Sequence, residues 1–284
     1  MNGSYVEVEI ASDAATVEML VGLLSEVGVE GFWEEGGLLR CYVRSERWRP
    51  EMEMEIARMV KLAVPSSRSA SPRIEVRTIA GRNWNEEWER TIKPIRVTDR
   101  IVIAPSWETY DPSPGEILIR VDPKMSFGTG YHESTRLALR LLQRHVRNRP
   151  SVLDIGTGTG VLVIAALLLG ARSALGLDND QWAYENAQEN LRLNNVQERG
   201  RIVLGDVSAV PLEEFNVVVC NIHRTAVEQM LSDLIRHVAH NGVLILSGLL
   251  SADREPIMAS LRARGLRMVE EVVENEWIGM TAAR

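Results

Sequence analysis

The 284-residue chain is predicted to be an α/β protein: a small ferredoxin-like α+β unit, then a mostly parallel, doubly wound, Rossmann-like sheet. Three observations carry this. From residue 151 onward, short apolar runs alternate with stretches of helical periodicity, as parallel strands covered on both faces by helices do. The first of those runs opens into the glycine-rich turn Gly156-Thr157-Gly158-Thr159-Gly160, directly before an apolar helical stretch. The first 79 residues instead read as β-α-β-β-α-β, the ferredoxin-like order.

In the first unit, residues 5–10 alternate apolar and polar, which suits a half-buried strand. Ser12 or Asp13 is placed to cap a helix whose apolar face is Val17, Leu20, Leu24 and Val27, with Gly28 ending it. Residues 31–34 and 38–43 are two short strands around the hairpin signal Glu35-Gly36-Gly37. Pro50 opens a second helix carrying Met54, Ile56, Met59 and Val60, and 73–78 is a closing strand. Residues 83–91 read as a short helix with Trp84 and Trp88 one turn apart and Pro94 just beyond, within a linker region at 80–100; interdomain packing is the expected role of the two tryptophans. In the second unit, 101–284, strands are expected at 151–155, 173–178, 202–204, 217–221, 243–247, 268–274 and 277–282, with helices at 160–169, 181–194, 225–240 and 255–264.

Composition bounds the function. Hydrophobic residues make up 45% and charged residues 25%, a globular profile. The formal net charge is −7 and the pI about 5.4, which speaks against direct nucleic-acid binding. The charge is uneven: residues 1–60 hold twelve Asp or Glu against five Arg (−7), and residues 61–100 hold nine Lys or Arg against five Asp or Glu (+4). An acidic first unit suits a basic protein partner. Cys41 and Cys220 have no CxxC spacing, so no metal or redox motif is expected, and both read as small apolar strand residues. The first ten residues lack a basic segment followed by an apolar run, and the apolar stretch 161–169 is too short to span a bilayer. A cytoplasmic protein with no membrane partner is the expectation.

The chemistry centres on Asp154-Ile-Gly156-Thr-Gly158-Thr-Gly160. Glycines permit a tight turn and close backbone approach, and the following helix N-terminus favours a polar or anionic group. Such a turn serves dinucleotides or S-adenosylmethionine. A dinucleotide fingerprint is G-x-G-x-x-G, but here the third glycine comes one place early. Asp154, two residues ahead of Gly156, suits a cationic amino-acid moiety and would repel a pyrophosphate. Asp178 ends the next strand 22 residues after Gly156, where a carboxylate accepts from ribose hydroxyls, while Asp180 is the better helix cap. Asp206 follows the third strand, beside the adenine position or as a simple turn cap. Asn221 ends the fourth strand, on the side of the sheet where ligands sit; its side-chain oxygen can accept a hydrogen bond from an amine.

Ahead of that half stands Asp122-Pro123-Lys-Met-Ser-Phe127-Gly128-Thr129-Gly130-Tyr131-His132-Glu-Ser-Thr135. The succession D-P-x-x-x-F-G-T-G-x-H-x-x-T, D-x-G-x-G-x-G, G-x-D-x-D and a strand ending in Asn-Ile resembles the bacterial ribosomal protein L-eleven methyltransferases, the PrmA family. The resemblance spans roughly residues 80–284 and is loose before that. It implies a seven-stranded methyltransferase domain behind a substrate-recognition domain. It also implies S-adenosyl-L-methionine as cofactor and a large-subunit ribosomal protein as acceptor, modified at lysine side chains and the N-terminal α-amine. Thr135, Gly156, Asp178 and Asn221 are the matching cofactor positions, and the 127–132 loop would lie over the cofactor and acceptor channel. Tyr131, Glu133-Ser134 and His223 depart from the usual pattern, and the recognition domain matches least, which leaves the acceptor open.

The site residues expected are therefore Asn221 for orienting the amine, with Phe127, Thr135, Asp154, Gly156, Gly158, Asp178, Asp206 and Asn221 around the cofactor, and no metal. Neutralising a lysine at pH 7 costs about 4.6 kcal/mol and an α-amine about 1 kcal/mol, so the site must desolvate the ammonium or capture its rare neutral form. Alignment does the rest. His132 and His223 are candidate proton acceptors, though a lone loop histidine is more often structural. Another protein lysine, a small amine, or a silent cofactor-binding homologue are the competing readings.

Overall fold

A computed structural model describes residues 5–11, 17, 20, 21, 23, 24, 27–35, 37–63, 74–79, 92–122, 128 and 130–284. The chain divides into two compact units, Met1–Glu89 and Arg90–Arg284.

In the first unit, β1 (Tyr5–Ala11), β2 (Gly31–Glu35), β3 (Leu38–Arg44) and β4 (Ile74–Ile79) form one antiparallel sheet in the order β2-β3-β1-β4. That is the ferredoxin-like order expected from β-α-β-β-α-β. The alternating residues Val6, Val8 and Ile10 turn one face of β1 into the core beside Leu39, Cys41 and Val43. Leu20 and Leu24 from the expected first helix lie in the same core; Ser12 and Asp13, its expected caps, lie outside the described residues. Helix α1 (Pro50–Ala63) buries Met52, Ile56 and Val60. Met54, also expected on this helix, is 71% exposed while Met52 is 2% exposed. Residue 54 stands two places from both 52 and 56, about 200° around the helix, so the apolar stripe passes it by.

The second unit begins with a three-stranded sheet of β5 (Ile95–Arg96), β6 (Ile101–Ala104) and β7 (Ile117–Arg120). Trp84 and Trp88 lie outside the described residues. The main sheet has seven strands in the order β10-β9-β8-β11-β12-β14-β13, where β8 is Ser151–Ile155, β9 Ser173–Asp178, β10 Gly200–Leu204, β11 Phe215–Asn221, β12 Val238–Leu250, β13 Arg267–Glu274 and β14 Trp277–Ala283. β10 through β12 are parallel, and β14 runs antiparallel between β12 and β13.

Successive residues of the central strands serve opposite faces. Val152, Val217, Val219 and Ile245 pack with α2 (Glu133–His145), α3 (Val161–Leu168) and α4 (Gln181–Leu193). Leu153, Val218, Cys220, Leu244 and Leu246 pack with α5 (Arg224–Arg236) and α6 (Arg254–Arg262). Both faces are covered, hence the near-continuous apolar character of the strands. Helix α2 was not anticipated, although Leu137, Ala138, Leu141 and Leu142 mark its buried face.

The helix expected at 225–240 ends at Arg236, and β12 starts five residues earlier than expected. Tertiary pairing overrides local helical preference here. The Phe215 amide donates to the His237 carbonyl (2.7 Å), and Val238 pairs with Phe215 and is buried. The register then shifts, so that Val217 faces Val243.

Candidate functional site

The candidate residues gather at the carboxyl ends of β8, β9 and β11, where sheets of this kind bind ligands. Between β8 and α3 the chain makes the turn 156–160 with Gly156, Gly158 and Gly160 all at left-handed φ (+72°, +53° and +79°). A side chain at Gly156 would meet Ile222 Cγ2 at 2.8 Å, and one at Gly160 would press on Ala187 of α4 at 3.2 Å. The turn is held from the β9 side. The amides of Gly156 and Thr157 donate to the Leu177 carbonyl, and the Gly158 amide donates to Asp178 Oδ2 (2.8 Å).

Asp154, one residue before the end of β8, is fully buried. Its Oδ2 accepts from Thr157 Oγ1 (2.7 Å), which ties the strand to the turn it feeds, and its Oδ1 has no hydrogen-bond partner among the described residues. Burial pushes its carboxyl up to about 7, against the lowering effect of the Thr157 hydroxyl, and the negative Asp178 adds to the rise.

Asp178 ends β9, and its second oxygen accepts from the Asp180 amide (3.1 Å). Asp180 takes the capping role expected of it, accepting from Trp182 N (2.6 Å) and Ala183 N (3.3 Å) at the start of α4. Each Asp178 oxygen retains a further lone-pair direction. Asp206 caps a short 3-10 turn, accepting from the Ser208 amide and hydroxyl (2.8 and 2.5 Å), the simpler of the two roles considered for it.

Asn221 ends β11, and the fold brings Thr135 of α2 to it across 86 residues. Asn221 Nδ2 donates to Thr135 Oγ1 at 3.4 Å, the long end of the hydrogen-bond range. Asn221 Oδ1 is buried without a partner among the described residues. Thr135 is fully buried, and α2 is pinned beside it by Ser247 of β12, whose Oγ donates to the Ser134 carbonyl (2.8 Å). Gly248 follows at φ +77°, with a Cβ there only 2.7 Å from the Ile222 carbonyl oxygen, so β12 packs directly on the Asn221-Ile222 backbone.

Both candidate histidines are helix caps. His132 Nδ1 accepts from the Ser134 amide (3.2 Å) at the start of α2, and its ring packs edge-on to Trp277 at 4.5 Å. Burial lowers its pKa, which favours the neutral imidazole that such a cap needs. His223 Nδ1 accepts from Ala226 N at 3.4 Å at the start of α5. Phe127 lies outside the described residues.

Two buried polar residues not foreseen from sequence complete the surroundings. Thr159 donates from Oγ1 to the Gly128 carbonyl (2.8 Å), and Asn190 of α4 donates to the Thr159 carbonyl (2.9 Å). A threonine between glycines and an asparagine inside a helix carry no distinctive sequence signal. Cys41 and Cys220 are buried in β3 and β11, and burial pushes both thiols up, Cys41 to about 12. Among the described residues no cluster of His, Cys, Asp and Glu is arranged to hold a metal, and no helix is long and apolar enough to cross a membrane.

The family model described as "Ribosomal protein L11 methyltransferase (PrmA)" matches residues 4–284. A ribosomal protein L11 methyltransferase of Chlorobaculum tepidum is 37% identical over 280 residues, covering 97% of this chain and 95% of that protein. One from Brevibacillus brevis is 32% identical over 269 residues, covering 93% and 85%. The crystal structure of ribosomal protein L11 methylase from Lactobacillus delbrueckii subsp. bulgaricus superposes with a TM-score of 0.64 at 29% identity, over 68% of this chain and 98% of that one. With its motifs, its seven-stranded sheet and a family match over nearly its whole length, the chain belongs to the ribosomal protein L11 methyltransferase (PrmA) family.

Proposed function

We propose that this protein transfers methyl groups from S-adenosyl-L-methionine to amino groups of ribosomal protein L11, both lysine side chains and the N-terminal α-amine. Family membership supplies the reaction class and the acceptor protein. The observation that carries the site is the buried, unpartnered Oδ1 of Asn221 at the carboxyl end of β11. A buried acceptor without a partner costs about 1–3 kcal/mol, and an incoming N–H removes that cost.

The residues present fit the cofactor. The second orphaned oxygen, Asp154 Oδ1, suits the cationic amino-acid end. The left-handed glycines 156 and 158 allow backbone approach, and Asp178 has lone pairs left for ribose hydroxyls. Asp206 would stand on the adenine side, and Phe127 is assigned to the same site from the sequence motif. When bound, S-adenosylmethionine supplies a methyl group activated on a sulfonium. The chain's own task is alignment and desolvation. Asn221 Oδ1 accepts a hydrogen bond from the acceptor amine, and Thr135, by taking the Nδ2 hydrogen, keeps Oδ1 turned toward it. Neither group is a base, so the amine enters neutral or loses its proton to water. His132 and His223 serve the helix starts instead.

The first unit is assigned to recognition of the acceptor, and its acidic first 60 residues favour a basic partner. The test is incubation of the enzyme and labelled S-adenosylmethionine with unmethylated ribosomal proteins, followed by peptide mapping. Label on L11 lysines and its α-amine is the expected result; label confined to another protein, or to non-amine positions, overturns the assignment.

A further inference from the structure

We infer that Asn190 is a positioning residue for cofactor binding: it fastens Asp122, the first residue of the D-P-x-x-x-F-G-T-G-x-H block, to Thr159 of the glycine turn. This rests on the reading that the turn after β8 takes adenosylmethionine.

Asn190 is almost completely buried on α4, and both ends of its amide are engaged. Oδ1 accepts from the Asp122 amide (3.0 Å), and Nδ2 donates to the carbonyls of Thr159 (2.9 Å) and Asp122 (3.3 Å). One helical turn later, Asn194 treats Arg120 the same way: Oδ1 accepts from the Arg120 amide (2.8 Å), and Nδ2 donates to the Arg120 carbonyl (2.6 Å). The spacing explains why this works. Two residues of extended chain advance about 6.6 Å. Four residues of helix advance about 6.0 Å. Two amides on one helix face therefore pair with alternate backbone positions, 120 and 122, as a neighbouring strand would.

The two asparagines differ in one respect. Asn194's other hydrogen bond stays within its own helix, Nδ2 donating to the Asn190 carbonyl (2.8 Å). Asn190 also holds the Thr159 carbonyl, and Thr159 Oγ1 holds the Gly128 carbonyl. Asp122 and Gly128 are thus both tied to one residue of the turn. Gly128 sits close enough that a Cβ there would lie 2.7 Å from Thr159 Oγ1. The side chain of Asp122 extends the connection to the next loop, accepting from the amide and hydroxyl of Ser106 (2.7 Å each). Asparagine is a poor helix former, and its burial in α4 is matched by what it binds rather than by helix stability.

The experiment is a calorimetric titration of S-adenosylhomocysteine into the full-length wild type, Asn190→Ala and Asn194→Ala, with unliganded thermal unfolding of each. Asn190→Ala is expected to weaken binding about tenfold or more. Asn194→Ala is expected to lower the unfolding midpoint comparably and to keep binding within about twofold. Affinities that fall together, or an unchanged affinity in Asn190→Ala, overturn the inference. Should Asn190→Ala not fold, Asn190→Asp keeps the acceptor for the Asp122 amide and loses the Nδ2 donations; wild-type affinity in that variant overturns it equally. A wild type that does not bind the ligand refutes the site itself, and this inference with it. A wild type whose binding is lost in Gly156→Ala but unaffected at position 190 refutes this inference alone.

Discussion

Replacing Asp154 with Asn isolates the electrostatic cost of building the glycine turn. The carboxyl is fully buried, has one hydrogen bond from Thr157, and titrates near pH 7 instead of at its ordinary 3.8. Below about pH 4 the group is protonated in both folded and unfolded chains. Between about pH 4 and pH 7 the unfolded chain has released this proton and the folded one still holds it. The folded state then binds more protons, so this group's contribution to stability falls as pH rises, by about 1.4 kcal/mol per unit. Over roughly three units the ceiling is about 4 kcal/mol. Asparagine carries no such proton. Urea unfolding of both proteins without cofactor should therefore give a stability difference that moves in favour of Asp154→Asn from about pH 4 to about pH 7 and then levels off. If Asp154 faces the ligand's ammonium, as proposed above, the same variant should also bind S-adenosylmethionine more weakly. A pH-independent stability difference would refute the reasoning.

Two further outcomes follow from the geometry. Gly156→Ala places a side chain at φ +72° and 2.8 Å from Ile222 Cγ2. The strained backbone alone costs about 1–2 kcal/mol. Because Ile222 adjoins Asn221, calorimetry should show ligand binding lost while thermal unfolding still reports a folded protein; wild-type affinity would contradict this. His132 has a pKa lowered by burial and caps α2 as a neutral acceptor. Its contribution to stability is present above the ordinary histidine value of 6.5 and is lost as pH falls through the lowered one. Thermal midpoints between pH 7.5 and pH 5 should drop further for wild type than for His132→Asn, which keeps a capping acceptor without titrating; parallel curves would count against the cap.

Much of this fold is legible in the sequence because burial on two faces makes the strands apolar throughout. Val217-Val218-Val219-Cys220 could be nothing else once the turn at 156–160 marked β8 as the first parallel strand. The roles of Asp180 and the glycines followed from local chemistry: an acceptor before a helix, and left-handed φ that glycine adopts without steric cost. Part of what was missed depends on distant partners. Val238 leaves the α5 pattern because Phe215 captures it, and no local periodicity records that pairing. Helix α2 was hidden inside a motif read for its chemistry, although its leucine spacing was plain. Met54 is apolar by residue type, but its phase on α1 turns it out of the core. His132 and His223 stand where serine or aspartate usually caps a helix, so their structural task had no familiar signature. Asn190 is recognisable only once Asp122 and Thr159 are seen on either side of it.

The central claim is that Asn221 presents its free oxygen to the acceptor amine while Thr135 holds the amide in place. Single-turnover methyl transfer to ribosomal protein L11 by wild type and Asn221→Ala, at saturating S-adenosylmethionine and with folding verified, tests it most directly. The account predicts a rate lower by about 100-fold or more in the variant. A variant that transfers methyl at the wild-type rate would contradict it.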